Sequence, residues 1–120
     1  MTNIVIISHS KEIAEGTKAL LNQMAGDVNV IVQGGVDGKI GTSYDHIQAL
    51  INELTDDALC FYDIGSAEMN LDLAIEMYEG DQRIEKVEAP IVEGSFTAAV
   101  QLSVGNSIEE VLGELNKTFG

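Results

Sequence analysis

The sequence predicts an α/β domain: a doubly wound, mainly parallel sheet of strand order 2-1-3-4, flanked by helices. Three observations carry this. Short apolar runs alternate with segments of helical period along the 120 residues. The first run is β-branched and continuous, as in a strand covered on both faces. Each of the first three runs leads through a turn into a segment of helical period, the first two with a serine or threonine placed to cap it. Strict alternation of strand and helix implies parallel neighbours joined by right-handed crossovers, and 2-1-3-4 is the commonest such start.

Taken in order, Asn3 to Ile7 forms the first strand. Ser10 caps a helix whose residues Ile13, Thr17, Leu20, Leu21 and Met24 share one face, and Gly26-Asp27 ends it. Val28 to Val32 is the second strand, running into the glycine-rich loop Gly34 to Gly41. Thr42 or Ser43 caps a second helix, with Ile47, Leu50, Ile51 and Leu54 at i, i+3, i+4 and i+7. Ala58 to Tyr62 is the third strand. The turn Asp63-Ile64-Gly65-Ser66 opens a third helix striped by Ala67, Leu71, Ala74, Ile75 and Tyr78. A weaker fourth strand, Ile84 to Glu88, is stopped by Pro90. From Ile91 to Leu102, Gly94 and the β-branched residues make a poor helix, so propensity leaves this stretch open. Ser107 and Glu110 form a capping box before Ile108, Val111, Leu112 and Leu115.

With 45% hydrophobic and 22% charged residues, one proline and no low-complexity run, residues 1–120 read as a single domain. Twenty acidic residues face six basic ones, a formal net charge of −14. Such a field repels phosphate backbones and anionic lipid, which argues against nucleic-acid and membrane roles; it would attract a basic partner surface, and the alternative reading is that it serves solubility alone. The one cysteine, Cys60, lies in the apolar third strand with no disulfide partner and reads as a buried structural thiol of a reducing compartment. The start, Met1-Thr2-Asn3-Ile4, lacks a basic region and cleavage site, and no apolar run approaches ~18 residues. The expected location is cytoplasmic.

In a 2-1-3-4 sheet the first and third strands are neighbours, and the crevice at their carboxyl ends is the topological switch point where ligands bind. Ser8-His9-Ser10 and Asp63-Ile64-Gly65-Ser66 meet there. An imidazole is a nucleophile near neutral pH. Asp63 can accept a hydrogen bond from one ring nitrogen of His9 and leave the other free to attack, the tautomer-fixing role of a triad aspartate. Helices beginning near Ser10, Ser43 and Ser66 should aim free N–H groups and positive dipoles at an anion. Ser10, Thr42, Ser43, Gly65 and Ser66 are therefore the candidates for phosphate stabilisation, around His9 as a phosphoryl-accepting nucleophile. The competing reading is a loop histidine held by a carboxylate for stability alone. His46, off the apolar stripe of the second helix, reads as a surface residue.

Stronger motifs are missing: no Walker loop, no dinucleotide glycine fingerprint, no cysteine pair and no close pair of histidines. Neither a metal nor a cofactor is expected on this chain. A receiver-like domain phosphorylated on Asp63 shares the topology, but its acidic cluster would stand where Ser8-His9-Ser10 does, and its lysine has no candidate. A flavodoxin-like carrier would need a threonine-rich first loop, and a simple binding module would keep His9 for structure only.

The chain resembles the DhaM family, the phosphotransferase subunits of phosphoenolpyruvate-dependent dihydroxyacetone kinases, which are related to mannose-type enzyme IIA domains. The resemblance rests on Ile6-Ile7-Ser8-His9-Ser10 with Ala14-Glu15-Gly16, and on Gly34-Gly35-Val36-Asp37 with Ile40-Gly41-Thr42-Ser43. It continues through Asp63-Ile64-Gly65-Ser66-Ala67 and Ala89-Pro90-Ile91-Val92-Glu93-Gly94. It implies that His9 takes a phosphoryl group from the carrier HPr and passes it to ADP held by a DhaL subunit, which serves dihydroxyacetone bound by DhaK. It also implies a homodimer and, since the extra carrier and enzyme I domains of some relatives have no counterpart here, dependence on free carrier. A mannose-class transporter component is the alternative within the same resemblance. An acidic acceptor would gain association rate from a basic carrier by steering.

Overall fold

The structure, a computed structural model, describes every residue from Met1 to Gly120. Four strands, β1 (Asn3–Ser8), β2 (Val30–Gly34), β3 (Ala58–Tyr62) and β4 (Ile84–Lys86), make one sheet of order β2-β1-β3-β4. All three pairings are parallel, as the sequence predicts. Five helices complete the fold: α1 (Lys11–Met24), α2 (Tyr44–Asn52), α3 (Gly65–Glu76), α4 (Ile91–Ser103) and α5 (Ile108–Phe119).

Side chains of the central strands alternate between two cores, one on each sheet face. Ile4, Ile6, Leu59 and Phe61 pack with α1, α4 and α5 through Leu21, Ala98, Leu102 and Val111. Val5, Ile7, Ala58 and Cys60 pack with α2 and α3 through Ile47, Ile51, Ala67 and Leu71. Because β1 is buried at every position, its continuous apolar run is a consequence of two-sided cover.

The structure departs from the sequence expectations in several places, among them Leu54 and Tyr78, which lie just past the ends of α2 and α3. β2 spans Val30–Gly34 rather than Val28 to Val32, because the Val28 N–H donates to the Ala25 carbonyl at 3.1 Å and keeps that residue in the turn. β4 is shorter than Ile84 to Glu88. In α1, Ala14, Thr17 and Leu21 are buried, while Ile13, Leu20 and Met24 flank that arc and stay 47%, 42% and 57% exposed. Thr17 tolerates burial because its hydroxyl donates to the Ile13 carbonyl at 2.7 Å.

Residues 91 to 103 are helix, with Pro90 as N-cap. Gly94, Ser95, Ala98 and Ala99 make its buried face. A Cβ on Gly94 would stand 2.6 Å from the Ala89 Cβ and 3.3 Å from the Phe61 ring. The helix lies so close to the sheet that small residues are required there. The helix propensity lost at Gly94 and at the β-branched residues is outweighed by burial.

Candidate functional site

β1 and β3 run side by side, with Ile7 opposite Tyr62, so the chain leaves both strands at one edge of the sheet. His9 and Asp63 are among the first residues beyond these strands. The His9 Nδ1 lies 2.8 Å from Asp63 Oδ1, with both side chains about one-seventh exposed, 15% and 14%. On the other side of the ring, Nε2 contacts the Ser66 hydroxyl. The imidazole is thus held at both nitrogens, by the turn after β3 and by the first turn of α3.

Asp63 is itself held. Its Oδ2 accepts from the Ser8 hydroxyl at 2.8 Å and from the His9 N–H at 2.9 Å, and its Oδ1 accepts from the Ile64 N–H at 2.7 Å. Partial burial pushes against ionisation, but the His9 N–H, the His9 ring, the Ser8 hydroxyl and the Ile64 N–H together hold the carboxyl below its ordinary value. With Nδ1 facing an ionised carboxylate, the ring proton belongs on Nδ1, and the Nε2 lone pair faces the Ser66 hydroxyl.

The remaining candidate residues are placed as follows. Ser10 caps α1, its hydroxyl accepting from the Ile13 N–H at 3.2 Å, and its own N–H donates to the Ser8 hydroxyl at 3.0 Å. Ser43 caps α2, accepting from the His46 N–H at 3.3 Å. Thr42 accepts from the Asn70 amide at 2.9 Å, which ties the glycine-rich loop to α3. Gly65 opens α3, and that helix has no side-chain cap on its N-terminus, in contrast to α1, α2 and α5. The first-turn N–H donors beside His9 are left without a side-chain acceptor. His46 is exposed on α2.

The glycine-rich loop closes over the site through its backbone. The Gly35 N–H donates to the Ser8 carbonyl at 3.1 Å and the Gly41 N–H to the His9 carbonyl at 2.9 Å. Gly34 lets this happen: a Cβ there would meet the Ser10 carbonyl oxygen at 2.7 Å and the Lys11 Cα at 2.8 Å. Behind α3, Lys86 donates to Glu68 at 2.7 Å and to Asp72 at 3.1 Å, and the Tyr62 hydroxyl donates to Glu68 at 3.1 Å. These contacts pin the first turns of α3, and with them Ser66, to the sheet edge.

Ser8 stands at the switch point in the sequence, but residue type and spacing assign it no role there. It closes β1 at 1% exposure and links Asp63 to the Ser10 N–H. A polar residue ending an otherwise apolar buried strand was the signal that could have marked it. The surface clefts, of 460, 480 and 290 Å³, are lined by other residues, and the His9 side chain keeps 15% of its surface open to solvent.

A parallel sheet of this order with an imidazole and a carboxylate joined at its switch point defines a class, and residues 3–112 match one such family. The chain belongs to the EIIA-man family, described as the PTS system fructose IIA component. Along most of its length it is similar to the PTS-dependent dihydroxyacetone kinase phosphotransferase subunit DhaM of Lactococcus lactis subsp. lactis (strain IL1403). The two are 42% identical over 116 residues, which cover 95% of this chain and 93% of that protein. It is 38% identical over 114 residues to the phosphoryl donor subunit DhaM of PEP-dependent dihydroxyacetone kinase 1 of Listeria innocua serovar 6a, covering 93% and 90%. Among solved structures, that of the unknown function protein EF1359 aligns with a TM-score of 0.88 at 35% identity, covering 97% of this chain and 93% of the other. No helix is long and apolar enough to cross a membrane.

Proposed function

We propose that this chain is the phosphoryl-relay subunit of a phosphoenolpyruvate-dependent dihydroxyacetone kinase, carrying the phosphoryl group on Nε2 of His9. The observation that carries this reading is the pair of contacts on one ring: Asp63 on Nδ1 and the Ser66 hydroxyl on Nε2. The DhaM names of the relatives supply the system.

The Nε2 lone pair attacks phosphorus in line with the departing imidazole nitrogen of a phosphorylated carrier, HPr. A P–N bond forms on His9 as the P–N bond of the carrier breaks, and the carrier nitrogen keeps the bonding pair. Positive charge then grows on the His9 ring, where the Nδ1–H donates to an already ionised Asp63 and is stabilised by it. The Ser66 hydroxyl releases the lone pair and turns to a phosphoryl oxygen, beside the uncapped first-turn N–H groups of α3 at Gly65 and Ser66. Ser10, Thr42 and Ser43 line the remaining helix and loop ends at that edge. Transfer onward repeats the in-line exchange with ADP held by a DhaL subunit as acceptor, DhaK presenting dihydroxyacetone. The chain itself then needs no metal or cofactor, and a ring partly open to solvent suits a partner protein that brings its own substrate. A cytoplasmic homodimer accords with this role. Asp63 is a poor nucleophile for a receiver-type mechanism, since both of its oxygens already accept hydrogen bonds.

The test is reconstitution with labelled phosphoenolpyruvate, enzyme I and HPr, adding or omitting DhaK and DhaL. Label stable to alkali and lost in acid is expected on the wild type and absent from His9→Ala. Triose phosphorylation is expected only when both partner subunits are present. The family's description favours one other reading, a component of a fructose- or mannose-class transporter. Transfer to such a transporter with none to DhaL would replace the kinase by that reading.

A further inference from the structure

We infer that the solvent face of α3 is the docking ridge for the phosphoryl donor, a protein whose basic residues border an apolar patch. This rests on the proposed relay role of His9 and adds the surface through which that role is exercised.

A helix on a sheet normally shows water a polar face. α3 shows a mixed one. Away from its buried residues Ala67, Leu71 and Ala74, and beside the exposed Asp72 and Glu76, it exposes Met69, Leu73 and Met77, the last just past its final turn, by 73%, 44% and 55%. With Ser66 they fall at i, i+3, i+7 and i+11, one face of one helix. The stripe therefore begins at the residue touching His9 Nε2. Ile64, 64% exposed, extends it around the ring. Any protein that brings phosphorus to Nε2 stands over Ser66 and must cover the start of this stripe. Methionine suits such a surface, because its flexible thioether repacks against successive partners of different shape.

Charge selects the donor's chemistry. Glu68, Asp72 and Glu76 run beside the apolar row at i, i+4 and i+8, and α3 contains no lysine or arginine. Lys86 pairs with the first two, while Glu76, one turn further, lies exposed beyond those pairs. An apolar row bordered by carboxylates, in a chain of net charge −14, complements a partner with the opposite border.

The experiment uses the double variant Met69→Gln/Leu73→Gln, exposed positions at which glutamine keeps helix propensity. His9 phosphorylation is measured with phosphorylated HPr and, separately, with phosphoramidate, a small donor that needs no docking. The expected result is a KM for phosphorylated HPr raised by about tenfold, with kcat kept and the phosphoramidate rate unchanged. Glu76→Lys is expected to weaken the dependence of the HPr rate on ionic strength. Wild-type kinetics in the double variant, with His9→Ala inactive, would overturn the docking ridge and leave the relay standing. Equal loss with both donors would also overturn it, by showing damage at the ring itself. Phosphorylation surviving in His9→Ala would remove the relay reading and this inference with it.

Discussion

The Ser8 hydroxyl donates to Oδ2 of Asp63 at 2.8 Å, joining the ends of β1 and β3 behind the histidine. The same hydroxyl accepts from the Ser10 N–H at 3.0 Å. One buried oxygen thus ties the carboxylate that orients the ring to the loop that carries it.

Ser8→Ala is expected to fold but to lose about 1–3 kcal/mol of stability, since it removes one donor from Asp63 and leaves the Ser10 N–H without its acceptor. Urea unfolding checks the stability, and the rate of phosphorylation by the carrier checks the site. Ser8→Thr, which keeps the hydroxyl, should recover more of the rate than of the stability. Equal behaviour of the alanine variant and the wild type would show that the linkage is idle.

Asp63→Asn is expected to slow phosphoryl transfer by about 100-fold, the scale of removing one group that stabilises charge developing in the transition state. The amide can offer its N–H to Nδ1 and place the ring proton on Nε2, the atom proposed to attack phosphorus. Circular dichroism should report an unchanged fold, and proton-detected nitrogen NMR of the ring should report the altered tautomer.

The lowered Asp63 value also sets an acid limit. Folding favours its ionised form, so this contribution is complete above the ordinary value of 3.8 and fades as pH falls through the lower folded value. The stability gap between wild type and Asp63→Asn, measured by urea unfolding, should therefore be largest near neutral pH and shrink below pH 3.8. A gap that stays constant into strong acid would place its origin outside the carboxylate charge.

Cys60 lies fully buried in β3, and burial, with the nearby Glu85 charge adding to it, pushes the thiol up to about 12. At pH 8 it should resist a disulfide reagent in the native protein and react fully in urea. Because the folded value is raised, its contribution to stability is lost as pH climbs from 9.0 toward that value. Prompt native labelling would mean that β3 opens locally.

Gly34→Ala would drive a Cβ to within 2.8 Å of the Lys11 Cα and of the Ala14 Cβ. The first turn of α1 must shift, at an expected cost of about 1–3 kcal/mol, read as a lowered Tm. Since Gly34 closes β2 against Ser8, the same variant should also slow transfer through His9.

The sequence by itself determined the order of strands and helices, the parallel 2-1-3-4 sheet and the meeting of His9 with Asp63. These follow from short-range patterning plus the handedness of crossovers, both local or topological rules. Tertiary structure decided the rest. It made a helix of Ile91–Ser103, because burying the face of Gly94, Ser95, Ala98 and Ala99 against the sheet outweighs the weak propensity of Gly94 and the β-branched residues. It split the apolar stripe of α1 into a covered arc and an exposed flank, which periodicity could not separate, since neighbours at 100° steps look alike until a sheet lies beneath one of them. It also placed Ser8 on Asp63 and Ser66 on Nε2, contacts between residues 55 and 57 positions apart, which exist only once β1 and β3 are side by side.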